Sequence, residues 1–169
     1  MPFVVETGTG SATATAYCTL AFFQELMEVE GLGIVLYNDT VQQNAIQRAT
    51  RYLDTRFTFV GYRKLTTQAL DWPRSEAYYS DGRIADNVPI EVQEACAFYA
   101  YRSLGARLAP DPTFDDRGGH VVRKVERVGP LVEETEYGQS GVQQTFRKYP
   151  EADRRIKELV IRGSRLMRA

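Results

Sequence analysis

The sequence predicts a mainly α-helical fold: a small helical bundle with an extended β-hairpin arm and a C-terminal amphipathic helix. Three patterns carry this expectation. Apolar residues recur at helical spacing behind cap residues near Thr19, Thr40 and Pro89, a strand pattern surrounds Gly129-Pro130, and a basic amphipathic pattern follows Pro150. At 169 residues the chain fits one ordinary domain with appendages. The expected organisation is an extended N-terminal arm over 1–16, a helical core domain over 17–117, a hairpin arm and linker over 118–146, and a basic helix over 147–169.

The first stretch, rich in Gly, Thr, Ser and Ala, has too little bulk to anchor itself and reads as an arm, with Gly8-Thr9-Gly10 as a flexible segment. The first helix is expected from a Thr19 cap with a Cys18/Phe23 staple, burying Phe23, Leu26 and Met27 and ending near Gly31. In the second, Thr40 and Gln43 read as a capping box, and Val41, Ala45, Ala49, Tyr52, Leu53 and Phe57 form the inner stripe. Arg48, Arg51 and Arg56 fall off that stripe and read as a solvated face. The third runs from Pro89 to about Leu108, with Val92, Cys96, Tyr99 and Ser103 in line and Ala95, Ala97 and Ala100 beside them. Apolar on more than one face, it should be buried on more than one side.

Between the second and third helices lies the most informative stretch, Gln68 to Glu91. The sole tryptophan, Trp72, stands before Pro73 and Arg74, an Asp81-Gly82 turn follows, and Val88-Pro89 opens the next helix. It reads as an ordered loop in which Trp72 is either a core plug or a presented ring. Beyond Pro112, two strand-like arms flank Gly129-Pro130, with Arg123, Lys124 and Arg127 on one and Glu133, Glu134 and Glu136 on the other, so antiparallel pairing is expected to set opposite charges across the ladder. The last element starts at Pro150 and lines up Ala152, Ile156, Leu159, Val160, Leu166 and Met167 on one face.

The formal charge of −1 hides an uneven distribution: residues 147–169 hold eight Lys or Arg against three Asp or Glu, leaving the rest of the chain acidic. Cys18 and Cys96 are far apart in sequence and His120 is the only histidine, so no zinc spacing can be assembled and both thiols read as buried small hydrophobes. No run is long and apolar enough for a membrane span, and no secretory leader is recognisable, which leads us to expect a protein made in the cytoplasm. No catalytic residue, metal ligand or cofactor site is expected. His120 has no identifiable orienting partner, and Gly8-Thr9-Gly10 lacks the lysine of a phosphate-binding loop. Tyr62, Arg63, Lys64, Trp72, Arg74, Tyr78, Tyr79 and Arg83 have the aromatic and basic composition of a single-strand binder. Asp71, Glu76, Asp81 and Asp86 interrupt that set and cancel its charge, which argues against a positively charged groove.

Several motifs together resemble the tailed-phage head-to-tail connector (adaptor) proteins, often labelled DnaT-like single-stranded-DNA-binding. They are the opening Val5-Glu6-Thr7-Gly8-Thr9-Gly10, the run Arg48-Ala49-Thr50-Arg51-Tyr52-Leu53-Asp54, the loop Gln68, Trp72, Pro73, Arg74, Asp81, Gly82 and Pro89, the hairpin turn Val128, Gly129, Pro130 and Leu131, and Tyr149-Pro150-Glu151-Ala152-Asp153. The resemblance implies a structural virion protein in the neck between head and tail. It would form a homo-oligomeric ring of about twelve copies on the portal protein, join stopper, tail-terminator or tail proteins, and pass genomic duplex DNA without sequence-specific binding. In that setting Pro150, Arg154, Arg155, Ile156, Leu159 and Val160 are expected to dock on the portal or a neighbouring subunit. The alternative is a DnaT-like replication accessory protein that binds single-stranded DNA.

Overall fold

A computed structural model describes residues 1–109, 121–127, 132–137 and 149–161; the turn Val128 to Leu131, His120 and residues from Arg162 onward lie outside the described residues. The chain divides into two compact units, one formed by 1–108 with 148–169 and the other by 109–147. Most regular structure is helical, with one antiparallel hairpin in the second unit.

Helix α1 covers Leu20–Val29 and is capped by Thr19, whose hydroxyl accepts the Phe22 N–H at 3.0 Å. Its inner face buries Phe23 and Met27, as the spacing predicts. Gly31, at φ +67, ends it, with the Leu32 N–H donating back to the Met27 carbonyl. Helix α2 covers Asp39–Arg56. Its cap is Asn38, not Thr40: the Asn38 side chain accepts the Val41 N–H at 3.0 Å, so the helix begins two residues early. Helix α3 covers Ile90–Gly105 with Pro89 at its N-cap. From Val92 to Ala100 only Gln93 and Glu94 escape full burial, and α1, α2 and the short helix α4 (Pro150–Arg155) all pack against α3. Ala95, Cys96, Ala97 and Ala100 let those neighbours approach closely.

The first sixteen residues are not an arm. Val5 bridges Ala16 in parallel, the Glu6 N–H donates to the Ala16 carbonyl, and Ala14 and Ala16 join the core. The Gly-Thr-Gly stretch is not a flexible segment but a cradle for a carboxylate. Buried Glu6 accepts the N–H groups of Gly8, Thr9 and Gly10 on Oε1 and that of Ser11 on Oε2, at 2.8–2.9 Å. Gly8 sits at φ +91, and a Cβ there would stand 2.4 Å from Asn87 Oδ1, so the turn requires glycine.

The segment after Pro150 departs most from expectation. Instead of a long helix with an unpartnered face, α4 closes after six residues and turns, and Val160 bridges Phe59 in antiparallel fashion. Ile156 and Leu159 are fully buried in the chain's own core, so neither is free to dock elsewhere. Val160 is half-buried against that core. Arg155 is committed as well, to Glu94 at 2.5 Å and Glu30 at 3.4 Å, with its guanidinium over the Phe98 ring; Pro150 and Arg154 remain exposed. Arg56, expected on a solvated face, turns inward to bond the hydroxyls of Tyr52 and Tyr99 and pair with Asp153 at 3.0 Å. That contact fastens α4 to the end of α2.

In the second unit, β3 (Val121–Arg127) pairs antiparallel with β4 (Val132–Tyr137). The register sets Arg123 opposite Glu136, but Lys124 opposite Thr135 and Glu126 opposite Glu133, so the expected ladder of opposite charges holds at one position only.

Two stability outcomes follow from these contacts. Glu6→Ala orphans four backbone donors and should lower unfolding free energy by about 3 kcal/mol in urea melts, with Glu6→Gln recovering part of it. Leu159→Ala should cost about 3 kcal/mol in the same assay, whereas a docking side chain outside the core would leave the midpoint unchanged.

Candidate nucleic-acid interface

The exposed aromatic and basic residues gather on the segment joining α2 to α3. Phe59 is fully buried, its ring edge-on to Trp72 at 5.7 Å, and the backbone then crosses itself at Gly61. A Cβ on Gly61, which has φ +72, would lie 2.4 Å from the Ser75 carbonyl oxygen, so only glycine permits the crossing. Two short strands follow, β1 (Tyr62–Arg63) and β2 (Arg74–Ser75), antiparallel with Tyr62 opposite Ser75. A second small turn sits beside them: Tyr78 bridges Ile84, the Tyr79 N–H donates to the Arg83 carbonyl, and Asp81-Gly82 makes the bend with Gly82 at φ +86.

The loop between β1 and β2 is fastened from below. Gln68, buried, accepts the Leu65 N–H and donates to the carbonyls of Leu70 and Pro73. The Tyr17 hydroxyl accepts the N–H groups of Asp71 and Trp72 and donates to the Asp54 carboxylate, which also accepts the Asp71 N–H. Burial first, then the adjacent Asp54, holds the Tyr17 phenol well above its ordinary pKa. Burial likewise pushes Asp54 up to about 6, a rise partly opposed by the Tyr17 hydrogen bond.

The sequence-predicted loop residues therefore split into support and surface. Trp72 is 0% exposed and is the core plug, not a presented ring. Pro73 and Pro89 are also buried. Arg74 is a clamp on backbone, donating to the carbonyls of Val60 and Gly61 at 2.7 Å each and to Asp71 at 3.3 Å; desolvation lowers its pKa, and its donors are spent inside the fold. Tyr79 is held by Glu91 at 2.8 Å. Asp81 and Gly82 are exposed at the turn.

What remains outward is a small set. Tyr62 is 54% exposed and Tyr78 50%. The Tyr62 hydroxyl donates to Glu76 at 2.8 Å, the main cause of its raised pKa, and the residues before the two tyrosines, Gly61 and Ala77, lie backbone against backbone. Arg63 rests on Asp71 at 2.7 Å and Arg83 on Asp81 at 2.6 Å, with Arg83 also over the Tyr79 ring. Lys64 reaches the Gly8 carbonyl at 3.5 Å and makes no ion pair among the described residues. Sequence composition had already grouped these residues, but it could not separate plug from platform. Among the described residues no cluster of His, Cys, Asp or Glu has the grouping of a metal site, and no helix is long and apolar enough to cross a membrane.

Residues 1–169 match a family described as "Putative DnaT-like ssDNA binding protein". The chain belongs to this family. No curated protein and no solved structure matches it. The match overturns the head-to-tail connector reading, because the family spanning the whole chain is the DnaT-like one and nothing in it supports a portal, a ring or tail partners. The segments expected to reach outward also pack within their own chain: the opening residues through Val5, Ala14 and Ala16, and the expected docking run through Ile156, Leu159 and Val160.

Asp54 gives the support beneath this face a pH signature. Its folded pKa of about 6 exceeds the ordinary 3.8, so the folded state binds the extra proton between these values. Its contribution is fully present below the lower value and is lost as pH rises through the upper one. The Asp54 contribution to stability should therefore fall by about 2 kcal/mol from pH 4 to pH 7, allowing for partial solvent screening. Urea midpoints for Asp54→Asn should show that part of the slope removed.

Proposed function

We propose that this chain binds single-stranded DNA through the face formed by Tyr62 and Tyr78, flanked by Arg63, Lys64 and Arg83, and that it acts as a binding protein and not as an enzyme. The observation that carries the reading is a pair of half-exposed tyrosine rings, Tyr62 on β1 and Tyr78 on the turn that follows β2, beside backbone fastened by Gln68, Arg74 and Tyr17. Unpaired bases stack on aromatic faces whatever their sequence, each contact contributing about 1–3 kcal/mol. A platform held rigidly loses little entropy when a base lands on it. The family description supports the same ligand class.

The charge arrangement sets the character of the binding. Three cations flank the rings, and two of them already rest on carboxylates. Few counterions would be released, so the salt slope should be shallow, near −2 in log–log form for about three phosphates. Stacking then outweighs phosphate attraction, which favours unpaired bases over duplex, where the ring faces are already covered.

Anisotropy of a labelled oligothymidine tests this. Tyr62→Ala and Tyr78→Ala should each weaken binding about tenfold, while Tyr62→Phe retains it. A duplex of the same length should bind far less tightly. Failure of the wild type to bind, or alanine variants that bind as it does, would overturn the assignment.

A further inference from the structure

One carboxylate on the tyrosine face is not committed to a cation. Asp71 holds Arg63 and Asp81 holds Arg83, but Glu76 makes no ion pair among the described residues. Its Oε1 accepts the Tyr62 hydroxyl at 2.8 Å. Ala77 is fully buried, whereas Glu76 before it and Tyr78 after it are exposed, so both point outward on either side of an anchored alanine. The carboxylate thus stands at the hydroxyl edge of the Tyr62 ring, with Oε2 left to accept from a ligand.

The backbone holds this group at a cost in strain. Glu76 has φ +54, a left-handed conformation that residues with a side chain seldom adopt. Asparagine and aspartate can sit there by bonding their own backbone, which the longer glutamate side chain, turned to Tyr62, does not do. The conformation is fixed where the chain crosses itself: a Cβ on Gly61 would stand 2.4 Å from the Ser75 carbonyl oxygen, 2.8 Å from the Ala77 nitrogen and 2.9 Å from the Glu76 carbonyl carbon. Glycine would hold the same turn without strain. A strained residue with an exposed side chain points to what that side chain does.

An ionised carboxylate only accepts hydrogen bonds, and Oε1 keeps a second lone pair beside the one that Tyr62 uses. Next to a base stacked on Tyr62, such a group selects for donors on the Watson–Crick edge. Guanine presents two adjacent donors there, N1–H and N2–H, which match the two carboxylate oxygens in a bidentate, charge-assisted pair. Thymine presents N3–H alone, between two carbonyl oxygens that a carboxylate repels. Cytosine and adenine present an amino group beside a ring nitrogen whose lone pair it also repels. We propose that Glu76 gives this face a preference for guanine among unpaired bases, Tyr62 carrying the base and orienting the carboxylate that reads it. The inference rests on the reading of this face as a single-strand binder.

Anisotropy competition with short oligothymidines that carry thymine, guanine or hypoxanthine at one central position tests it; hypoxanthine keeps N1–H and lacks the 2-amino group. Guanine should strengthen wild-type binding about tenfold over thymine, and hypoxanthine should lose most of that gain. Glu76→Gln should bind the guanine and thymine strands about equally, and should hold plain oligothymidine at least as tightly as the wild type, because a negative charge has left the face. Its urea midpoint should match that of the wild type, which separates lost preference from lost folding. Tyr62→Phe keeps the ring and releases the carboxylate, so it should retain oligothymidine binding while losing most of the guanine gain. A wild type that binds oligothymidine without favouring guanine, or a Glu76→Gln variant that keeps the full preference, would sink this inference and leave the DNA-binding reading standing. A wild type that binds none of the strands would remove both.

Discussion

The burial of α3 on several sides is the constraint on which the first unit is organised. With Val92, Ala95, Cys96, Ala97, Phe98, Tyr99 and Ala100 all withdrawn from water, a single neighbouring helix cannot cover the surface α3 presents. Covering it takes α2, α1 and the segment from Tyr149 to Val160, although that segment is distant in sequence. Small residues on α3 shorten the approach, and the large rings of Phe98 and Tyr99 fill what is left. Tyr99 meets Tyr52, Phe57 and Tyr149 at 5.0–6.4 Å between ring centroids. Arg56 lies over the Tyr52 and Phe57 rings and pairs with Asp153, so the same aromatic cluster that seals α3 fixes the returning segment.

Irregular backbone wraps much of the remaining core, and side chains do there what strand pairing does elsewhere. Glu6 gathers four backbone donors, Gln68 bonds three backbone groups, Arg74 takes three carbonyls and the Tyr17 hydroxyl accepts two N–H groups. Backbone groups enclosed without partners would each cost about 1–3 kcal/mol. These side chains let long non-helical segments cover the helices without that cost. Three of them, Gln68, Arg74 and Tyr17, fasten β1, β2 or the loop between them, and so hold the backbone beside Tyr62.

How much of this was legible follows the range of the interactions. The start of α1 at Thr19 and that of α3 at Pro89 were readable because a cap and a run of apolar spacing are local. The start of α2 was not, since Asn38, Asp39 and Thr40 can each cap and only geometry selects Asn38. Arg56 reads as exposed from its spacing because the partners that draw it inward, Tyr99 and Asp153, come from other elements. Ile156 and Leu159 look unpartnered for the same reason, their cover being supplied by the core that α2 and α3 build. At the candidate face, composition grouped the aromatic and basic residues that share the segment between α2 and α3. Strands of two residues leave no periodic signal, however, so which rings face water could not be read.

The carboxylates that made the loop look unsuited to nucleic acid have a different meaning once their geometry is known. Asp71 holds Arg63 by Nε and Nη2 while its own N–H is tied to Tyr17, and Asp81 holds Arg83 by its Nε and backbone N–H. These pairs keep two flexible cations beside the rings at exposed sites, where an ion pair contributes about 0–1 kcal/mol and a phosphate can replace the carboxylate at little cost. A face of this kind offers weak long-range attraction and sound short-range contact. On the proposed reading it would discriminate by whether a base is free to stack, and so distinguish an open strand from a paired one more sharply than a uniformly basic groove would.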